Sequence, residues 1–380
     1  MSFNDYQAAV DVCVGELLST CKNMRIQRNI VAGATGVAFT APAADCTSDE
    51  QETKTTDTFK DNQAHSVEAG LISMMNNALD SPYCGLIHNF KAHHCQEVAV
   101  MSRFNFANLI ARRLVLVDNK IGAELGFTNG DNPNGMITLK DSLMIGEHEA
   151  TVDCAHDNEG LGKPKLAMVT GAAFAETSNL PYMIPGTFHA EGSNPTRGKS
   201  MEVENVIFKD YNTRKCGVGK LPQVINLHSD SADMVMHHTF RAITLHNVQN
   251  ANFLYLANPL PEWASLAQCG EFPCTGRKNV VFKFEGGVHV VNSNLLLSTD
   301  QTFTITSANA GIADDVCLNN PVWNANVCEE TNWALLQFES LDSDSRDRSV
   351  QPIYITSEDY PSFNNKLNSF MDHASGYYEG

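Results

Sequence analysis

The chain has 380 residues, of which 43% are hydrophobic, and its formal net charge is −18. This acidic balance argues against a nucleic-acid or anionic-membrane surface, because both need a positive footprint. Charged residues make up 18% of the chain, below the usual ~25%. Small uncharged residues fill the difference, which is expected for strands and turns rather than for long surface helices.

The start of the chain has neither the basic residues nor the long apolar run of a signal peptide, and it includes Asp5 and Asp11. No apolar run approaches the ~20 residues of a membrane span, so we expect no membrane insertion within this segment. The last residues show no feature that closes a domain. We therefore expect both ends to be cuts in a larger polypeptide.

A short pattern recurs along the chain: an apolar residue, any residue, a second apolar residue, any residue, and then Asp or Asn. Copies begin at residues 72, 114, 137, 206 and 243, and the copy at residue 280 keeps the strand without the polar end. The starts at 114 and 137 differ by 23 residues, and those at 206, 243 and 280 differ by 37. Recurrence at about 20–50 residues is typical of repeat architectures.

The repeated unit is a strand, so the sequence predicts an all-β fold, a β-solenoid in which each coil stacks a strand on the coil below. An ordinary β-sandwich is the alternative, although its strands tend to recur every 8–12 residues or so. We expect the Asp or Asn at each corner to hydrogen-bond along the stack. The second apolar residues of the copies should face one continuous core: Leu116, Leu139, Phe208, Leu245 and Phe282.

Composition divides the chain into two parts. Residues 1–310 are predicted to form the solenoid, with inserted loops near 45–63, which is polar and charged, and near 150–200, which is rich in Gly, Pro, Asn and His. Residues 311–380 hold two of the three tryptophans and a cysteine pair. Because solenoids need a cap to cover the exposed end of the stack, we expect this segment to form the last coils or a C-terminal cap.

Eleven cysteines are present, and several lie close together in the sequence. In an oxidising compartment such neighbours form disulfides that hold loops, whereas a zinc site needs tighter C-x₂-C pairs, which are missing. Pro273 and Pro321 favour tight, non-helical paths in two of the intervening loops. The candidate disulfide pairs are Cys13 with Cys21, Cys84 with Cys95, Cys269 with Cys274, and Cys317 with Cys328.

Two groups of residues suggest metal binding. Asp342, Asp344 and Asp347 could hold calcium through oxygen ligands, but the segment lacks the glycine and terminal glutamate of an EF-hand, and a solvated turn is the alternative. The adjacent pairs at 93–94 and 237–238 are histidines, and one member of each should point inward because neighbours in a strand face opposite sides. Further histidines lie nearby in the repeat, so the set is His65, His93, His94, His228, His237, His238 and His246. A histidine in the core or in a ladder is the alternative to a ligand.

Carboxylates and basic residues on an outer face of the stack would be needed to cleave a polysaccharide, where paired carboxylates supply acid and base. The candidates are Lys209, Asp210, Arg214, Asp230, Asp233 and Arg241. No pair among them has a spacing that demands catalysis, and a structural role at the corner explains Asp210. Since nucleophile-elbow, P-loop and dinucleotide-binding motifs are also missing, the sequence does not indicate an enzyme.

Four stretches, at residues 28–71, 90–122, 269–287 and 317–349, resemble the fibrocystin-L (polycystic kidney and hepatic disease 1-like) family. The resemblance covers most of the chain and implies a right-handed parallel β-helix region plus the segment that follows it. It further implies a structural or adhesive role in a large extracellular or ciliary surface protein, with other surface proteins and glycans as partners. Distant relatives that degrade hyaluronan at the cell surface keep a glycan-binding or glycan-cleaving β-helix as the alternative.

Overall fold

The computed structural model describes residues 9–11, 25–41, 44–45, 58–74, 84–103, 108–127, 136–146, 166–172, 200–212, 223–227, 235–254, 256, 279–295, 300–307, 317–329, 333–337, 353–356, 364–367 and 375–379. Apart from one 3-10 turn at Asn250–Asn252, the regular elements of these residues are β-strands. The all-β class predicted from the sequence is therefore confirmed.

Twenty-seven short strands follow one another in the described part of the chain. In chain order they are β1 Val10–Asp11, β2 Arg25–Gln27, β3 Ile30–Ala32, β4 Val37–Ala41, β5 Ala44–Asp45, β6 Thr58–Lys60, β7 Gln63–His65, β8 Ala69–Met74, β9 Cys84–His88, β10 Lys91–His93, β11 Val98–Arg103, β12 Asn108–Arg112, β13 Val115–Val117, β14 Ile121–Phe127, β15 Met136–Ile145, β16 Leu166–Ala172, β17 Ser200–Lys209, β18 Gln223–Leu227, β19 Val235–His246, β20 Asn279–Val291, β21 Phe303–Ser307, β22 Leu318–Asn320, β23 Ala325–Glu329, β24 Trp333–Gln337, β25 Ile353–Thr356, β26 Asn364–Leu367 and β27 Ser375–Glu379.

The strands form two main sheets that the chain visits in turn. The smaller sheet has the order β1-β4-β8-β11-β14-β16-β18, and the larger sheet continues β2-β6-β9-β12-β15-β17-β19-β20. Neighbours in these two series pair in parallel, so each visit to both sheets adds one coil to a stack. We number the coils 1 to 8 by their strands in the larger sheet, from β2 to β20. This arrangement is consistent with the predicted β-solenoid.

A bend divides the larger sheet lengthwise. In coils 1 to 4 each coil contributes two short strands, such as β12 and β13, whereas in coils 5 to 8 one long strand passes through the bend. We call the residues at this bend the first corner, and those just after the second short segment the second corner. The first corner is Arg28, Asp61, Asn89, Arg113, Asp141, Asn205 and Ala242, and the second is Ser66, His94, Asp118, Asp210, Asn247 and Asn292.

All of these corner residues have φ between 50° and 59°, the left-handed region that Asn and Asp tolerate best. Asn89 Nδ2 donates to Asp61 Oδ1 at 2.9 Å along the first corner. Asn247 Nδ2 donates to Asp210 Oδ1 at 2.8 Å along the second. The predicted hydrogen bonding of Asp and Asn along the stack is thus confirmed.

The core runs through the stack without a break. Leu116, Leu139, Phe208, Leu245 and Phe282 are at most 1% exposed and belong to one hydrophobic cluster, as predicted. Its aromatic side chains form ladders across coils, the closest being Phe240 and Phe284, whose ring centroids are 4.6 Å apart. Burial of these apolar side chains is the main force that holds successive coils together.

The register corrects the alignment of the repeat copies. Leu116, Phe208 and Leu245 do lie in one column, which follows the first corner. Leu139 lies instead in a column that precedes the corner, and Phe282 pairs with His238 one step earlier. Each coil contains apolar alternation on both sides of the corner, so the sequence pattern alone does not distinguish the two positions.

The copy at residue 72 occupies a different place again. Ile72 lies in β8 of the smaller sheet and belongs to a second, smaller buried cluster with Val37, Ala69, Val98 and Met101. Its side chain is therefore not equivalent to those of the copies in the larger sheet. The pattern was correct about a strand and wrong about the sheet.

Strands also occur inside the two ranges predicted as inserted loops. Within 45–63, β6 carries Phe59, which is 2% exposed and packs against Phe39 with ring centroids 5.8 Å apart. Within 150–200, β16 pairs with both β14 and β18. A polar composition conceals β6, because this strand needs only the inward Phe59 to join the stack.

Beyond β20 the pairing changes from parallel to antiparallel. The strands β21, β23 and β22 continue the larger sheet, and this change falls at Phe303, before residue 311. Trp323, in the turn between β22 and β23, is fully buried against Phe253, and its Nε1 donates to the Asn250 carbonyl at 2.8 Å. Two further antiparallel pairs, β24 with β27 and β25 with β26, follow.

Candidate binding groove at the first corner

A groove of about 520 Å³ runs along the first corner. Its lining comes from coils 2 to 6, because each coil adds its corner residue and the outward residue two positions later. The lining residues are Asp61, Gln63, Asn89, Lys91, Arg113, Leu114, Val115, Asp141, Ser142, Leu143, Asn205 and Ile207. We call this feature the corner groove.

The corner geometry creates the groove. A left-handed residue turns the chain sharply, and the next residue points inward, as Leu114 and Ser142 do at 0% and 4% exposure. Ser142 Oγ accepts a hydrogen bond from the Leu114 amide at 3.1 Å and donates to the Lys140 carbonyl at 2.7 Å. The floor of the groove is therefore satisfied internally and rigid.

One wall of the groove changes character along the stack. It begins with Gln63 and the exposed Lys91 and continues with Val115, Leu143 and Ile207, all in register on successive coils. Ile207, at the far end of this wall, is 41% exposed. The wall thus offers polar contacts at one end and an apolar surface at the other.

A column of basic residues lies directly before the first corner, next in sequence to residues that line the groove. Lys60, His88, Arg112 and Lys140 lie in register on coils 2 to 5, each directly before a residue of the first corner. We call these four residues the basic column. Arg113 Nη1 lies 3.2 Å from His88 Nε2, and because an arginine can only donate, this nitrogen is the acceptor.

The cations of this border are crowded. Burial and the neighbouring Arg113 lower the pKa of Arg112, while Asp141 opposes that shift. Asp141 itself accepts a hydrogen bond from Asn205 Nδ2 at 2.7 Å, which fixes its position at the corner. A negatively charged ligand would relieve the repulsion between the two guanidinium groups.

The same column is balanced in the late coils. Coils 6 to 8 contribute Glu204, Arg241 and Glu285. Arg241 lies 2.5 Å from Glu285 and 3.4 Å from Glu202, and Lys283 lies 3.3 Å from Glu285. The hydrogen bond between Arg241 and Glu285 raises the pKa of Arg241 and lowers that of Glu285. Ion pairs therefore neutralise this end of the column.

Three histidines meet beside the second corner. The rings of His65 and His93 stack with centroids 4.7 Å apart, and His94 meets His93 edge to face at 5.3 Å. His94 Nδ1 lies 3.3 Å from the Asp118 carboxylate. Partial shielding of the His93 ring from water lowers its pKa, as do His65 and His94, and Asp118 partly opposes this. Among the described residues, no three His, Cys, Asp or Glu side chains converge as a metal site.

For the pair at 93–94 the predicted orientation, with one histidine inward and one outward, is wrong. His93 and His94 are both exposed, because His94 occupies the second corner, where the strand alternation ends. His238 is fully buried as expected, and its Nδ1 accepts a hydrogen bond from the Met201 amide at 3.1 Å. The structure thus gives His238 the role of a core histidine. The His237 side chain and His228 lie outside the described residues, and His246 is half-buried.

Structural contacts account for the described residues that were predicted as sites of glycan cleavage. Asp210 accepts from Asn247 in the second-corner ladder and lies 3.8 Å from Lys209. Arg241 belongs to the ion pairs of the late coils. Arg214, Asp230 and Asp233 lie outside the described residues.

One predicted disulfide is confirmed. Cys317 and Cys328 are bonded, with their Cα atoms 4.3 Å apart, and they join β23 to the residue before β22. Cys95 is buried at 2% exposure, whereas only the backbone of Cys84 is described, so that pair stays a prediction. The other candidates lie outside the described residues: Cys13, Cys21, Cys269, Cys274 and the calcium candidates Asp342, Asp344 and Asp347.

Sequence reasoning missed the corner groove and the basic column. A signal was present, because Lys60, Arg112 and Lys140 each immediately precede a corner residue. The basic column can be recognised only in the true register. In that register the first corner directly follows Arg112 and does not lie at the end of the repeat copy that begins at residue 114. The misaligned repeat hid the column.

No protein-family model matches the chain, and no curated protein matches it either. Within the described part of the chain, no helix has the length and hydropathy that crossing a bilayer requires.

Proposed function

We propose that this chain is a structural and adhesive segment of a large extracellular or ciliary surface protein. In this proposal a right-handed parallel β-helix acts as a rigid rod, and the corner groove is its binding face. Other surface proteins and glycans are the partners.

Three observations support the rod. Stacked parallel strands joined through a second sheet are crossover connections, and such connections are right-handed in nearly all proteins. Ladders at both corners and a continuous core resist bending, because each coil contacts only its neighbours and does so over its whole length. The Cys317–Cys328 disulfide is typical of an oxidising, extracellular compartment.

The observation that carries the adhesive role is the repetition within the corner groove. Its lining comes from the first corner and the two positions after it in coils 2 to 6, so an extended ligand along the stack would meet one set of side chains from each coil at regular intervals. Coils of parallel strands are spaced by about 4.7–4.9 Å, which suits a polymer better than a small molecule. A pocket for a small metabolite would instead enclose most of the ligand's surface.

Glycan cleavage is less well supported than binding by the described residues. The groove carboxylates Asp61 and Asp141 belong to coils 2 and 5, three ladder steps apart, or about 14 Å between backbones. Glycosidases place their two carboxylates roughly 5–9.5 Å apart. The two aspartates therefore fit ligand positioning rather than acid–base catalysis.

A steric block of the groove tests the proposal. Val115→Trp places a bulky ring in the middle of the groove wall, and Ile145→Trp is its control, since Ile145 is outward but not among the lining residues. Retention of each protein is measured on immobilised heparin, chondroitin sulfate, polygalacturonate, fibronectin, laminin and collagen. We expect wild type and Ile145→Trp to be retained on at least one surface and Val115→Trp to lose about 90% of that retention. Equal retention of both variants, or retention on none of the surfaces, would overturn the adhesive role.

A further inference from the structure

The charge around the corner groove has the opposite sign to that of the chain. In coils 1 to 6, three columns face this side: the one that contains the basic column, the first corner, and the outward residues two positions later. Together they hold six permanent cations and three anions. The cations are Arg28, Lys60, Lys91, Arg112, Arg113 and Lys140, which we call the basic strip, and the anions are Asp61, Asp141 and Glu204.

The chain as a whole is nevertheless acidic, at −18. A Debye length of about 8–10 Å at physiological salt screens distant charges from one another. The strip spans five coils, so its own members dominate the potential that a ligand meets at its surface. A locally positive strip on an acidic protein concentrates an extended anion at one place and repels it elsewhere.

The cationic groups are placed to reach such a ligand. Lys91 and Arg113 are exposed, and the half-buried Lys60, Arg112 and Lys140 lie with their backbones at the groove border. At exposed positions such as Lys91 and Arg113, a long basic side chain can cover neighbouring coils with its stem while its charged end stays in water. Successive coils repeat these ends at about 4.7–4.9 Å, so a linear ligand meets several cations in sequence.

The polar residues between the cations identify the class of ligand. Asp61 and Asp141 each have one oxygen in the corner ladder, which leaves capacity on the carboxylate to accept hydrogen bonds from hydroxyl groups. Gln63 and Asn89 add amide donors and acceptors. These residues suit the hydroxyl groups that sugars carry along the whole polymer.

Base stacking is unsupported. The described lining of the groove contains no aromatic side chain, and proteins that bind single-stranded nucleic acids depend on aromatic residues to stack the bases. From charge, spacing and hydroxyl-binding groups together, we propose that the basic strip binds a linear anionic polysaccharide that runs along the stack through the corner groove. This inference rests on the proposed adhesive function and adds the chemical class of its ligand.

Charge-neutralising variants test the inference. Lys60→Gln, Lys91→Gln and Lys140→Gln are combined in one variant of the full chain. The matched control combines Lys120→Gln, Lys209→Gln and Lys283→Gln, which remove the same charge from lysines that are ion-paired outside the groove with Glu97, Asp210 and Glu285. Circular dichroism and the thermal midpoint show that both variants are folded. A single Lys91→Gln variant, at an exposed position, replaces the triple variant if that one does not fold.

Binding is measured with size-defined heparin oligosaccharides as the sulfated probe and polygalacturonate oligomers as the carboxylated probe. Neutral dextran and oligo(dT) of matched charge are the comparison probes. We expect the strip variant to bind at least one acidic polysaccharide about tenfold more weakly than wild type, and the control to bind it within about twofold. The slope of log K against log salt should fall by about three, one for each lost contact.

The other outcomes overturn the inference in distinguishable ways. Equal binding of dextran, or equal losses in strip variant and control, would remove the role of charge, while the Val115→Trp block would still support an adhesive groove. Oligo(dT) binding as tightly as the polysaccharides, with the same loss, would reassign the strip to nucleic acid. No effect of either Val115→Trp or the strip variant would reject both the groove and its ligand.

Discussion

The early and late coils of the stack share one backbone design and differ on its outer face. Along the column before the first corner, coils 2 to 5 carry Lys60, His88, Arg112 and Lys140, whereas coils 6 to 8 carry Glu204, Arg241 and Glu285. The early coils concentrate positive charge beside a groove. The late coils cancel it in ion pairs with Glu202 and Lys283.

The difference between the early and late coils shows which sequence positions the fold does not constrain. Inward positions must bury apolar side chains, and corner positions must adopt left-handed φ, so both regions are alike there. Outward positions before and after the corner meet water in either case and are free to vary. Any specific function of this stack is therefore encoded outside, in side chains whose identity the fold does not require.

Truncation of the shared interior should have the largest effect. Phe208→Ala removes a fully buried ring from the column that joins early and late coils, and we expect a loss of roughly 3–5 kcal/mol in the free energy of unfolding. Ile207→Ala, on the next residue but outward, should cost below about 1 kcal/mol. Urea unfolding followed by fluorescence measures both, and equal losses would mean that the two faces of β17 are not divided as described.

The disulfide tests how the end of the late coils is closed. Replacing Cys317 and Cys328 together by Ala should lower the stability of the antiparallel segment by about 2–3 kcal/mol, because the loop they close is short. Non-reducing peptide mapping should find the pair oxidised in the native protein. Free alkylation of both thiols would contradict the bond and weaken the extracellular assignment, and an unchanged thermal midpoint in the double variant would show that the bond adds no stability.

Much of this architecture could be predicted from the sequence. Alternating apolar residues followed by Asp or Asn predicted the strands, the stacking and the ladders, because those features depend on local chemistry that each coil repeats. The columns could not be predicted, since coils with apolar alternation on both sides of the corner allow several alignments, as Leu139 and Phe282 show. The corner groove depends on that alignment, and it became visible only when register placed Arg112 beside Lys140.

The second corner provides a smaller test, because Asp210 and Asn247 form its side-chain ladder in the late coils. Asn247→Ala removes the 2.8 Å hydrogen bond to Asp210. It also leaves an alanine at φ 55°, where its methyl group strains the backbone and forms no hydrogen bond that would offset the strain. We expect a loss of about 2 kcal/mol, from the left-handed cost and the bond together. Asn247→Gly should lose less, since glycine accepts this φ freely. If glycine were as costly as alanine, backbone strain would not be what selects Asn here.

The smallest expected effect is a change in the pKa of His93, a residue of the early coils. Partial shielding from water lowers the pKa of His93 from its ordinary value of 6.5, and the adjacent ring of His65 lowers it further. His65→Asn removes the second cause, so the pKa of His93 should rise toward its ordinary value, measured from the ring-proton shifts of His93 by NMR. The control is His246→Asn, which changes a histidine in the same outward column of coil 7 and should leave His93 unaffected.

The lowered pKa of His93 also determines how the stability of the fold depends on pH. A histidine whose pKa is lower in the folded state than in the unfolded state destabilises the fold at low pH. His93 therefore carries no such penalty above pH 6.5, and the penalty develops as the pH falls from 6.5 through the lowered value. In His65→Asn this pH window should narrow, and the early coils should tolerate mild acid better than wild type does. An identical His93 titration in wild type and His65→Asn would show that the stacked rings of coils 2 and 3 do not interact electrostatically, and that the shift has its other causes, shielding from water and the neighbouring His94.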